Sequence, residues 1–473
     1  MILSSLKWSF LTEIASKLIQ PLTLIILARF LTPSDFGILT ASTMVIVFAQ
    51  IFWEAGMGKA LIQRQNNFQI AANVTFVTNI ILSVVIIFLL YIFSEAISEN
   101  IFQDKRVESV LKVMTIQIFL TAICSVHTAI LKKEMQFKKL FWVRFATVSV
   151  PGLAAIPFAL SGYGYWALII GVLAGQLIQA IILWNVSTWR PTRNLNNTVA
   201  KDMILFGAWV ALTGILTWFY AWADSLIVAS YLGSNNLGLY RTGSELSAFV
   251  FAMIFAPILP VLYSHLSKMS SNKRYIQDTL KLVLNMAIIL AIPFAIVIFT
   301  FSNFIELAIF DDNWRGIGKI IGVMSLMHGF SWIVGMNGEF YRAIGKPSYE
   351  TIVTLSTLII YLAAYFYAIS FGLDVFVWVR FVLALGALFI HLILVKVVLK
   401  ILLYKLIEKI AIITATSFLI STLILKILIL LMTSEILILI FGVSFSMMII
   451  FALIYIIEKN KLIPKIKPFI AQR

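Results

Sequence analysis

The chain is a succession of apolar runs, each about 20–25 residues long, separated by short loops that alternate between lysine-rich and lysine-poor. About 20 apolar residues rise about 30 Å as a helix, enough to cross the hydrocarbon core of a bilayer. Fourteen such runs cover residues 9–31, 37–62, 71–94, 107–131, 143–160, 164–187, 203–231, 237–263, 278–301, 317–341, 351–370, 375–398, 409–431 and 435–457. The alternating ten-residue signature of a membrane β-barrel is absent. Lipid offers the backbone no hydrogen-bond partners, so the runs are expected to be helices. The pattern predicts an all-α polytopic membrane protein of about 14 transmembrane helices.

Composition agrees: 61% of residues are hydrophobic and 12% charged, against about 25% charged in soluble domains. The net charge is +15. With the N-terminus taken as cytoplasmic, 26 of the 36 Lys and Arg fall on cytoplasmic loops and the C-terminal tail, and nine fall on the other side. That is the positive-inside asymmetry, and it places both termini in the cytoplasm. The charge is therefore mostly topological. It favours the anionic headgroups of membrane lipids and argues against nucleic acid as a partner. The first run carries Glu13, Lys17 and Gln20 and lacks a small-residue cleavage site, so it is expected to be a permanent helix and not a signal peptide. The single Cys124 gives no disulfide framework or thiolate cluster.

The first two runs echo the seventh and eighth, which divides the first twelve runs into halves of six. Displaced by 201 positions, Ala28-Arg29-Phe30-Leu31 falls on Ala229-Ser230-Tyr231-Leu232, Phe36-Gly37-Ile38 on Leu237-Gly238-Leu239, and Phe48 on Phe249. Each copy is a long helix, a polar turn, a glycine and another long helix. The turns are Thr32-Pro33-Ser34-Asp35 and Gly233-Ser234-Asn235-Asn236, both with good turn chemistry. Six is even, so both copies start on the same side, as parallel repeats about an axis along the membrane normal. The expected organisation is a six-helix lobe over 1–195, a second over 196–402, and two extra helices with a basic tail over 403–473. The last two runs are nearly all Ile and Leu and read as a lipid-facing appendix.

Catalytic signatures are missing. Gly58-Lys59, Gly318-Lys319 and Gly345-Lys346 are not followed by Ser or Thr, so there is no phosphate-binding loop. The four histidines lie on separate segments without ligand spacing. No cofactor, metal or enzymatic activity is expected. Charges at membrane depth are different, because each costs about 2.5–3.5 kcal/mol at a helix centre without a partner or a wet cavity. Glu13, Lys17 and Gln20 share one face of the first run. Glu54 lies in the second run, Asp224 in the seventh, and Arg241 and Glu245 in the eighth. Two readings stay open. They are ion pairs stapling helices (Glu13–Lys17, Asp224–Arg241, Arg241–Glu245), or they line a water-filled cavity formed by the first, second, seventh and eighth runs. Trp209, Trp218 and Trp222 lie near one face of the seventh run, suited to packing or to stacking on sugar rings.

The segment Leu27-Ala28-Arg29-Phe30-Leu31-Thr32-Pro33-Ser34-Asp35-Phe36-Gly37, followed by Ala60-Leu61-Ile62-Gln63-Arg64, resembles the opening of the Wzx-type polysaccharide flippases. These belong to the multidrug/oligosaccharidyl-lipid/polysaccharide superfamily. Gly164-Tyr165-Trp166-Ala167-Leu168, Ala223-Asp224-Ser225-Leu226 through Gly233, and Gly345-Lys346-Pro347 carry the same likeness. The resemblance implies a bacterial cytoplasmic-membrane protein that moves undecaprenyl-pyrophosphate-linked oligosaccharides outward by alternating access, coupled to H⁺ or Na⁺. Polysaccharide polymerase or glycosyltransferases of the same pathway would be partners. Lys17, Arg29 and Arg241, with Gln20, Trp218 and Trp222, would then face pyrophosphate and sugar. Glu13, Glu54, Asp224 and Glu245 would bind the coupling ion or pair charges. The alternatives are a drug or cation antiporter of the same superfamily, a lipid II flippase, and a polytopic polymerase or glycosyltransferase. An enzyme of that last kind would need a larger loop than the one carrying Asp311-Asp312.

Overall fold

The computed structural model describes residues 2–52, 54–255, 273–346, 348–399 and 403–471, together with 258, 259, 262 and 266. Among them every regular element is helical and no strand occurs. The chain divides into two compact units, Met1–Arg241 and Thr242–Arg473.

The first unit contains α1 (Ile2–Ala28), α2 (Pro33–Gln50), α3 (Glu54–Gln63) and α4 (Phe68–Ile97). After a wider turn at Ser98–Phe102 come α5 (Arg106–Lys133), α6 (Phe137–Leu160), α7 (Tyr165–Val186) and the first part of α8 (Asn197–Phe255). The second unit holds α9 (Lys273–Ile309), α10 (Ile317–Val334), α11 (Asn337–Ala343), α12 (Ser348–Ile369), α13 (Leu373–Leu399), α14 (Tyr404–Leu431) and α15 (Glu435–Ala471). Every apolar run is mostly helical over its described residues, with turns inside the second run at Ile51 and Phe52 and inside the tenth at Gly335 and Met336. Eleven helices among the described residues are long and apolar enough to cross a membrane. The count falls below fourteen for identifiable reasons. In α1 the apolar stretch is Ala15–Ala28, the second run breaks into α2 and α3, and the seventh and eighth merge in α8.

Within α8 the two runs remain separate helical segments that meet at Gly233. Gly233 has φ 78 and ψ 177, a conformation closed to residues with a Cβ. Tyr240 Oη donates to an Asp224 carboxylate oxygen at 2.6 Å, and the Arg241 guanidinium lies 4.2 Å from the centre of the Trp222 ring. Both pairs straddle Gly233, so the two segments of α8 run back antiparallel as a hairpin. The four-residue turn expected at 233–236 contracts to one residue. The equivalent turn before α2 is closed by a capping box, in which Thr32 and Asp35 exchange side-chain and backbone hydrogen bonds.

Small residues set the helix contacts, as expected where lipid removes the hydrophobic drive between helices. A Cβ added at Gly37 would overlap the carbonyl of Ser234, and one at Gly238 would overlap the carbonyl of Pro33. These partners obey the 201-residue displacement: Pro33 maps to Ser234 and Gly37 to Gly238. The contact is thus reciprocal, the signature of a local two-fold relation.

In the second unit α9 is the spine, packed by α10, α14 and α15. The Glu306 carboxylate accepts backbone N–H groups of Gly316 at 3.1 Å and Gly318 at 2.7 Å, capping α10. The last two helices dock one face on α9 through Leu406, Ile413, Ile438 and Ile450 and leave Leu430 and Leu431 outward. They also carry an ion pair that the loop-charge count concealed. Lys409 Nζ lies 2.7 Å from Glu458, with both side chains at most 16% exposed, and donates to Asn285 of α9 at 2.9 Å.

Candidate functional site

A groove of about 590 Å³ opens within the first unit between the end of α2, α3 and the first segment of α8. Val47 and Ile51 form one wall, Lys59 comes from α3, and a stripe of α8 from Phe206 to Trp222 forms the other. The stripe recurs at helical spacing: Phe206, Trp209 and Val210, Thr213 and Gly214, Thr217 and Trp218, Ala221 and Trp222. It extends over about 24 Å of helix at 1.5 Å per residue. A close crossing brings α3 to this stripe. A Cβ at Gly56 would overlap the Cα of Gly207, so the two backbones touch there. Lys59 follows one turn beyond Gly56, and Trp209 two residues beyond Gly207.

The three tryptophans differ in role. Trp218 is 8% exposed, donates its indole N–H to the Met44 carbonyl at 3.2 Å, and meets Phe48 edge-on at 4.9 Å. It ties α8 to α2. Trp222 carries Arg241 on one ring face. Trp209 is 69% exposed, which leaves its ring open for stacking. Between them, Thr213 donates to the Trp209 carbonyl at 3.2 Å and Thr217 to the Thr213 carbonyl at 2.9 Å. With their protons used internally, both hydroxyls present lone pairs and act as acceptors. The lining holds one cation, Lys59, and no carboxylate among the described residues.

Trp218, Trp222 and, through its stacking on Trp222, Arg241 meet at this groove. Asp224 is buried, takes hydrogen bonds from Tyr240 Oη and the Ser225 N–H, both at 2.6 Å, and belongs to the α8 hairpin. Lys17 is half-buried, and Gln20 and Arg29 are exposed; none of the three lines the groove. Glu245 is exposed on the far side of the boundary between the two units. The side chains of Glu13 and Glu54 lie outside the described residues. By position in the sequence Lys59 counts among the cytoplasmic charges; its place directly after Gly56-Met57-Gly58 in an apolar run is the available signal.

Residues 26–318 match the family described as polysaccharide biosynthesis protein. The chain belongs to this family. Among its relatives is the teichuronic acid biosynthesis protein TuaB of Bacillus subtilis strain 168, 23% identical over 374 residues, covering 78% of this chain and 77% of that one. Another is the lipopolysaccharide biosynthesis protein WzxC of Escherichia coli K12, 21% identical over 352 residues, covering 73% and 68%. In fold the chain is similar to the lipid II flippase MurJ in an inward closed conformation. The TM-score is 0.76 at 16% identity, covering 96% of this chain and 99% of that one. The family thus joins an all-helical, multi-pass membrane architecture to polysaccharide biosynthesis, as the residues 27–37 resemblance implied.

Proposed function

We propose that the protein moves a lipid-linked oligosaccharide from the cytoplasmic to the outer leaflet of a bacterial cytoplasmic membrane, for assembly of a surface polysaccharide. The observation that carries this reading is the chemistry of the groove. An open indole face at Trp209 suits the apolar face of a sugar ring. Two threonine acceptors suit sugar hydroxyls, and Lys59, the one cation in the described lining, suits a pyrophosphate or an acidic sugar. A cationic drug would call for carboxylates in the lining, which the described lining lacks. The names and fold of the relatives support the same substrate class. Coupling to H⁺ or Na⁺, with Asp224 as a carboxylate at membrane depth, and a cytoplasmic location for both termini belong to the proposal as well.

The test is genetic and chemical. A strain lacking the protein is expected to lose surface polymer and to accumulate lipid-linked repeat units on the cytoplasmic face. Trp209→Ala and Lys59→Gln, at normal protein levels, are expected to restore export less than one-tenth as well as the native chain. Intact surface polymer together with new drug sensitivity in the deletion strain would sink the reading in favour of an antiporter.

A further inference from the structure

The reciprocal glycine contact between the start of α2 and the second segment of α8 is spanned by a third element, the connection Gln103–Arg106 that leads into α5. Asp104 accepts from Arg106 Nε at 2.9 Å and from a terminal guanidinium nitrogen of Arg106 at 2.8 Å. It also accepts the hydroxyl of Ser234, on the second segment of α8, at 2.7 Å. The same guanidinium donates to the hydroxyl of Ser34, at the start of α2, at 2.8 Å. Gln103 adds a bond from its amide nitrogen to the Ser230 carbonyl at 3.3 Å. One short connection therefore holds both turns of the repeat. Asp104 takes the second copy and Arg106 the first.

The chemistry of this arrangement is that of a reversible fastening. The two charges are two residues apart and satisfy each other locally, so the ion pair survives when the turns leave. Release breaks two serine hydrogen bonds and one amide hydrogen bond, and leaves no uncompensated charge behind. A bridge with its carboxylate on α2 and its cation on α8 would instead separate two charges each time, at a far higher cost. The glycine contact beneath contributes close packing without side-chain interlock, so nothing has to unthread when the helices part.

We propose that Gln103–Arg106 is a latch that holds the start of α2 against the second segment of α8, and that its release from Ser34 and Ser234 opens the groove toward the outer face during each transport cycle. The proposal rests on the transport reading for its purpose, and on the hydrogen bonds alone for its mechanics.

The experiment follows the groove's accessibility. Val47→Cys places a thiol in the groove wall, while the native Cys124 is buried and does not react. A membrane-impermeant maleimide is applied to intact cells and the labelling rate is measured. Ser34→Ala and Ser234→Ala each remove one latch bond and keep the ion pair. Each is expected to raise the labelling rate about threefold to tenfold, and the two together to raise it further, with thermal stability close to that of the parent. Asp104→Asn is expected to match the double serine variant. Should Asp104→Asn fail to accumulate, the serine variants carry the test alone. Labelling unchanged in both serine variants at parental protein levels would overturn the latch, as would a loss of thermal stability with no change in labelling. Because labelling needs no export, a failure of the transport reading appears separately, as intact export in the deletion strain.

Discussion

The reciprocal contact at Gly37 and Gly238 makes an unusual demand on a double variant. A methyl group at either glycine meets the backbone carbonyl of the opposite helix, so no side-chain rotation relieves the overlap and the helices must part. Overpacking of this kind costs about 1–3 kcal/mol, toward the upper end where backbone is the obstacle. Alanine returns about 1 kcal/mol of helix propensity. Each single variant, Gly37→Ala or Gly238→Ala, is therefore expected to lose about 2 kcal/mol. The separation that admits one methyl also admits the second, since both clashes lie across the same helix pair. The double variant shares one separation and gains helix propensity twice, so it is expected to lose about 1 kcal/mol in place of the additive 4, a coupling of about 3 kcal/mol. Gly58→Ala is the control. It lies in helix α3 with open space at its Cβ position and is expected to be neutral or slightly stabilising. The assay is reversible unfolding in mixed detergent micelles, read by circular dichroism. Strict additivity of the two glycine variants, or a Gly37→Ala midpoint equal to that of Gly58→Ala, would refute the shared-contact reasoning.

Other consequences follow from single side chains. Trp209→Ala is expected to impair export at native stability, whereas Trp218→Ala, which loses a buried ring and its bond to Met44, is expected to cost about 3–5 kcal/mol in the same micelle titration. Tyr240→Phe removes a buried donor to the Asp224 carboxylate and is expected to cost about 1.5–3 kcal/mol; a variant as stable as the parent would show that this bond does not fasten the α8 hairpin. Burial of Asp104 raises its pKa, but hydrogen bonds from Arg106 and Ser234 outweigh it and hold the carboxyl below its ordinary 3.8. A depressed carboxylate contributes stability that is present above the unfolded value and lost as pH falls through the folded one. Arg106 faces Asp104, with Asp35 and Tyr165 nearby. The contribution of Asp104 is therefore expected to be kept above pH 3.8 and lost in stronger acid, read as a gap in thermal-unfolding midpoint between the parent and Asp104→Asn that persists at neutral pH and closes in acid; a gap that opened as the pH fell would contradict this assignment.

What the sequence disclosed and what it hid divide along physical lines. Run length and hydropathy are one-dimensional properties, so the helices were legible, and so was the 201-residue echo that the Gly37–Ser234 and Gly238–Pro33 contacts realise. The polar turn at 233–236 was legible as a reversal but not as a single left-handed glycine, because two helices can meet with no loop when one residue supplies the whole change of direction. Charges were harder. Asp104, Arg106 and Lys409 are ordinary boundary residues by position, and only the packing shows their partners. Arg106 reaches Ser34, and Lys409 reaches Glu458. Trp218 and Trp222 were visible as an aromatic face, yet which indole is open depends on Met44 and Arg241, neither adjacent in sequence.

The Lys409–Glu458 pair has a consequence for biogenesis. The lysine enters the translocon near the start of α14 and its partner follows 49 residues later, in the second half of α15, so during synthesis the lysine is at first without the glutamate. Neither helix reaches its final surroundings alone at low cost, because a lone charge in apolar surroundings is penalised until it is neutralised. The last two helices are thus built to leave the translocon as a hairpin and to dock on Asn285 of α9 only once both are made. A chain truncated after residue 431 would hold α14 with its lysine unneutralised and is expected to be cleared by quality-control proteases faster than a chain that carries both helices, as a pulse-chase would read.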